Sequence, residues 1–138
     1  MAARKQFKEE FTVNEEIARA REEYLDKHPL DAHKHAIPGY DKEMNLTGML
    51  TLPDMGDLTL IASKYGFEYL ASVRTDDDVD EWFGNILSTT KDLEVAGILL
   101  AQVFRNLAPF MTHLLDDDLG LQDTLKRIAV ESWTKEFK

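Results

Sequence analysis

A chain of 138 residues and 15.8 kDa amounts to one domain, or one domain with an arm. Its 43% hydrophobic and 30% charged residues are ordinary for a soluble globular protein. Sixteen basic against 26 acidic side chains leave a net charge of −10, a field that repels phosphate and excludes a generic polyanion binder, while zero cysteines exclude a disulfide scaffold, a thiolate metal site and a Cys nucleophile.

From Met1 to Phe7 there is no apolar core of the kind a secretory signal carries. The longest unbroken apolar run, Val95 to Ala101, falls well short of the roughly 20 residues of a membrane span. With cysteine absent as well, a cytoplasmic location off the membrane is expected.

The chain divides near residue 52, into an arm (1–53) and an acidic domain (54–138). Residues 1–50 carry eight basic and ten acidic side chains, net −2; residues 51–138 carry eight and sixteen, net −8. In the arm, the pattern predicts a helix from about Asn14 to Lys27. Thr12 with Glu15 fits a capping box, Asn14 is a rival cap, and Pro29 ends the run. Its apolar stripe (Ile17, Ala20, Tyr24, Leu25) is narrow and suits docking better than core formation. The connection from His28 to Gly56 holds three prolines and three glycines. It also holds Met44, Leu46, Met49, Leu50 and Leu52, too apolar for a solvated linker. Asn45 to Leu52 reads as a possible short strand.

The second part reads as helical nearly throughout. Leu58, Ile61, Ala62 and Tyr65 share one helix face behind Asp54 or Asp57 as cap, with a break or kink expected at Gly66. Phe67 to Val73 fits helix or strand. Val79, Trp82, Phe83, Ile86 and Leu87 repeat the helical spacing behind Thr75, with Asp76, Asp77 and Asp78 where the helix dipole favours anions. Ser88 to Asp92 reads as a loop with Thr89 or Thr90 as the next cap. The helix from Leu93 is apolar on most sides and is expected to be wrapped by its neighbours until Pro109 kinks or ends it. Arg105 and Asn106 would mark its solvent edge. Asp116, Asp117, Asp118 and Gly120 stop the run. A last helix, about Leu121 to Phe137, carries Val130, Trp133 and Phe137 on a second apolar face that needs cover. The expected fold is therefore all-α: a compact bundle of four or five short helices behind a helix-bearing arm.

No cofactor and no catalytic residues are expected. G-x-S-x-G, G-x-G-x-x-G, P-loop and H-E-x-x-H patterns are all missing. His113 precedes Asp116 and Asp117 at helical spacing, which reads as a surface ion pair. His28, His33 and His35 beside Asp26 and Asp31 are weak zinc or copper candidates, because their spacing matches no standard metal pattern. The stretch Leu58 to Phe67 echoes a helix-turn-helix, with Ala62 four residues before Gly66. The following segment offers only Arg74 before three aspartates, which argues against DNA reading. The acidic runs at Asp76–Asp78 and Asp116–Asp118 could imitate a phosphate backbone in an inhibitor, or receive a basic partner. The composition favours non-enzymatic protein–protein interaction: a small acidic subunit, adaptor or assembly factor. It would engage a second copy or another protein through Met44, Leu46, Met49, Leu50, Leu52, Val130, Trp133 and Phe137.

Overall fold

We describe residues 12–134 of a computed structural model of the chain. The elements are α1 (Val13–Lys27), β1 (His35–Tyr40), β2 (Leu46–Leu52), α2 (Met55–Ser72), α3 (Asp76–Thr90), α4 (Leu93–Asp116) and α5 (Leu119–Thr134).

Short polar side chains set the helix starts. Thr12 and Glu15 close a reciprocal capping box on α1, as do Thr75 and Asp78 on α3. Asp54 accepts from the Asp57 amide to open α2, and Asp118 accepts from the Leu121 amide to open α5. Asp92 opens α4, accepting from the Glu94 and Val95 amides. The expected caps Thr89 and Thr90 instead lie inside α3, where the Thr90 hydroxyl donates to the Ile86 carbonyl at 3.0 Å. Lys91, in the left-handed region, ends α3.

Two expected interruptions do not stop their helices. Gly66 sits inside α2, which runs on to Ser72 and makes the Phe67 region helical. A Cβ at Gly66 would lie 3.2 Å from Leu107 Cδ2, so this glycine permits close approach of α4 and turns nothing. Pro109 sits inside α4, which continues to Asp116. The proline removes one amide donor, and the residue a turn earlier, Arg105, is exposed to water.

The fold is not all-α, and the expected pure helical bundle is corrected by an antiparallel hairpin. β1 pairs with β2 from His35↔Leu52 to Tyr40↔Leu46, with an irregularity at Gly39/Tyr40. β2 coincides with the apolar run that read as a strand. Its partner β1 was illegible because Pro38 and Gly39 are poor strand residues. A two-stranded ribbon has only edges, where proline is tolerated. The connecting turn is closed by Asp41, whose carboxylate accepts from the Glu43 and Asn45 amides, both at 2.9 Å.

The core lies among α2, α3 and α4. Leu58, Ile61, Ala62 and Tyr65 of α2 meet Trp82 and Ile86 of α3 and Val95, Ala96, Leu99 and Val103 of α4. The Trp82 indole donates to the Tyr65 carbonyl at 3.0 Å and meets the Tyr65 and Tyr69 rings edge-on. Asn106 departs from the expected solvent edge. Its amide donates to the Thr59 carbonyl at 3.0 Å and the Ser63 hydroxyl at 2.9 Å, clasping α4 to α2. Arg105 remains exposed. α1 lies on α2, held by an Arg21–Glu68 ion pair at 2.7 Å and by the Lys64 ammonium 4.2 Å from the centre of the Tyr24 ring.

Candidate interaction surfaces

Three consecutive residues fasten the hairpin to the body. His33 lies 3.6 Å from the Asp92 carboxylate and hydrogen-bonds the Thr51 hydroxyl. Lys34 lies 4.0 Å from Asp57, and His35 lies 3.6 Å from Asp54. The hairpin base is thus tied to the N-terminal ends of α2 and α4, where capping aspartates are already fixed. The Asp57 amide holds the Asp54 carboxyl below its ordinary value; desolvation opposes it, and His35, Lys34 and the Gly56 amide add lesser lowering.

This geometry uses up the histidines proposed as metal ligands. His33 and His35 address different carboxylates, and His28 stacks on Tyr24 with ring centroids 4.5 Å apart. Among the described residues no three His, Cys, Asp or Glu side chains converge as a metal site.

Away from its base the hairpin is uncovered. Met44, Leu46, Met49 and Leu50 are exposed, whereas Leu52 is half-buried where the strand rejoins the body. Met44 is 74% exposed at the tip and has a φ of 66°, a left-handed conformation that costs a non-glycine residue of the order of 1 kcal/mol. The turn carbonyls and amides around it are paired within the turn, the Met44 amide donating to the Asp41 carbonyl at 3.0 Å.

At the other end of the chain, every described side chain of α5 is exposed. Leu121, Leu125 and Ile128 lie on one face, Val130 and Trp133 are rotated from it, and Trp133 is 90% exposed. Phe137 lies outside the described residues. The hairpin and α5 leave apolar side chains in water, as do Leu60 and Phe67 of α2 and Leu93, Phe104, Met111 and Leu114 of α4.

The acidic runs have local explanations. Asp76, Asp77 and Asp78 form the first turn of α3, and Asp78 also accepts from the Arg74 and Thr75 amides, which hold its carboxyl below the ordinary value. Asp116 ends α4 and Asp118 caps α5. His113 is exposed in the last turn of α4, and the described ion pairs do not join it to Asp116 or Asp117. The helix-turn-helix echo has no turn, because Gly66 is mid-helix.

One feature lay beyond sequence reasoning. A cavity of about 420 Å³ opens between α1 and α2, walled by Ile17, Tyr24, Leu25, Ile61 and Phe67, with the Arg21–Glu68 pair at its side. It exists because α1 presents a narrow stripe to a wider α2 surface. No periodicity within either helix could announce it.

α4 is long and apolar enough, by length and hydropathy, to cross a membrane. Its one buried face packs in the core described above. No protein-family model, curated protein or solved structure matches this chain, so the residues alone carry the functional reading.

Proposed function

We propose that this protein is a non-enzymatic protein–protein interaction subunit, a small acidic adaptor or assembly factor working in the cytoplasm. The observation that carries this reading is the pair of elements standing off the body with uncovered apolar side chains. The hairpin presents Met44, Leu46, Met49 and Leu50, and α5 presents Val130 and Trp133. A two-stranded hairpin is marginal by itself in water, and so is an isolated helix of 16 residues. Contact with another molecule would stabilise both. It would also remove apolar area worth roughly 25 cal/mol per Å² from water. The hairpin further offers two unpaired strand edges, suited to strand addition by a partner.

The test is the native mass of the purified full chain by light scattering, together with affinity capture of stoichiometric partners. The expected result is self-association or one stoichiometric complex, lost in a Met49→Asp, Trp133→Asp double variant whose melting temperature is unchanged. A 15.8 kDa species that captures nothing would overturn the reading.

A further inference from the structure

The cavity between α1 and α2 is an elongated slot. Along α1 it runs from Ile17 to Leu25, and along α2 from Ile61 to Ala71. At a rise of about 1.5 Å per residue, those faces are about 12 Å and about 15 Å long. The volume of about 420 Å³ lies in the range of small-molecule sites. Spread over that length, it is narrower than a helix, which is about 10 Å across, and suits a single extended chain.

The walls are mostly apolar and aromatic, and three charged residues join them: Arg21, Lys64 and Glu68. Arg21 and Glu68 neutralise each other at 2.7 Å, with side chains 18% and 10% exposed. Lys64 is left over. None of the ion pairs between described residues engages it. Its ammonium lies 4.2 Å from the centre of the Tyr24 ring, itself part of the wall. Lys64 is exposed, so its aliphatic stem covers apolar wall while the charge stays in contact with water. The slot thus carries a net +1 in a chain whose net charge is −10. Apolar walls favour a hydrocarbon body, and a cation held on an aromatic ring favours one anionic head.

We infer that the slot between α1 and α2 binds a single-chain amphipathic monoanion, a fatty-acid-like carboxylate, with its hydrocarbon between the two helices and its head on Lys64. The inference goes beyond the interaction reading above and does not depend on it. Other small molecules fit the walls less well. A nucleotide or a sugar needs several converging polar groups, and the described walls are mostly hydrocarbon. A cationic amphiphile would meet Lys64 as a like charge.

The experiment is titration of the full chain with laurate below its micelle concentration, followed by calorimetry and by amide NMR shifts. One laurate per chain is expected, with the shifts centred on residues 17–25 and 61–71. Lys64→Gln alters an exposed side chain, so circular dichroism and melting should hold while the laurate Kd rises about fivefold, the size of one partly exposed charge pair. Dodecanol, with the same chain and no charge, should bind more weakly than laurate and be indifferent to Lys64→Gln. Ala20→Trp, at an exposed alanine of the wall, should block both ligands without lowering the melting temperature. Several laurates per chain, or shifts centred on the hairpin, on α5 or on the exposed side chains of α4, would mean coating of apolar surface and overturn the inference. So would equal binding of laurate and dodecanol, or laurate binding untouched by both substitutions. Absence of binding at millimolar laurate overturns it outright.

Discussion

α3 and α5 are nearly the same length, 15 and 16 residues, yet they meet opposite surroundings. α3 lays Trp82 and Ile86 into the core and anchors the indole on the Tyr65 carbonyl. α5 buries none of its described side chains. In α3 the apolar residues from Val79 to Leu87 fall on one arc that two neighbouring helices can close over. Those of α5 spread from Leu121 round to Val130, wider than the end of α4 can cover. The same contrast separates α2 from the hairpin. An apolar pattern creates a face that must be covered, and only the placement of the remaining chain decides whether the cover is internal.

Paired truncations give the largest test of this contrast. Leu99→Ala, in the centre of the core, should cost about 2–5 kcal/mol in urea unfolding, whereas Leu125→Ala on α5 should stay within about 0.5 kcal/mol at protein concentrations where the chain is monomeric. Comparable losses would mean that α5 is part of the body. Next in size is the attachment of α1. Arg21→Ala removes a mostly covered charge pair and should cost about 1.5–3 kcal/mol, with hydrogen exchange accelerated in α1 before α2. Uniform acceleration of both helices would place α1 inside the cooperative core.

A smaller effect of opposite sign is expected at the hairpin tip. Met44→Gly relieves the left-handed backbone and should stabilise the hairpin by about 1 kcal/mol, read as slower amide exchange at Asn45 and its neighbours. If the exposed Met44 side chain engages a partner, the same substitution weakens that binding. The shallowest effect is acid dependence. Asp54 and Asp78 have folded values below the ordinary 3.8, because backbone amides donate to both carboxylates. Their stabilisation is complete above about pH 3.8 and is lost as pH falls through the lower folded values. Asp54→Asn with Asp78→Asn should therefore flatten the melting temperature in that window and lower it slightly at neutral pH. An unaltered acid profile would show that other carboxylates govern it.

Helix positions were legible wherever one short stretch contained both a cap and a periodic face. Thr12 with Glu15, and Thr75 with Asp78, announce α1 and α3 because capping depends on residues three apart. β1 was illegible because its strand character comes from pairing with β2, beyond the reach of a local pattern. Gly66 misled for a related reason. A glycine that bends a chain and one that admits a neighbour look alike until Leu107 is placed beside it. Asn106 looked like a solvent edge because its partners, Thr59 and Ser63, lie more than 40 residues away. The apolar residues offered as a docking surface were readable as a list, but their division was not. Leu52 returns toward the body, while Met44 and Trp133 stand in water.

By itself the sequence determined the local commitments of the chain: which residues begin helices, which faces are apolar, and where negative charge accumulates. These follow from interactions spanning a few residues, whose geometry the backbone supplies in advance. Only the tertiary structure decided which apolar faces meet one another, which are left uncovered, and that His33, Lys34 and His35 clamp a hairpin instead of gathering around a metal. Those outcomes depend on contacts between distant segments, and chain connectivity and competition for a small core select among them.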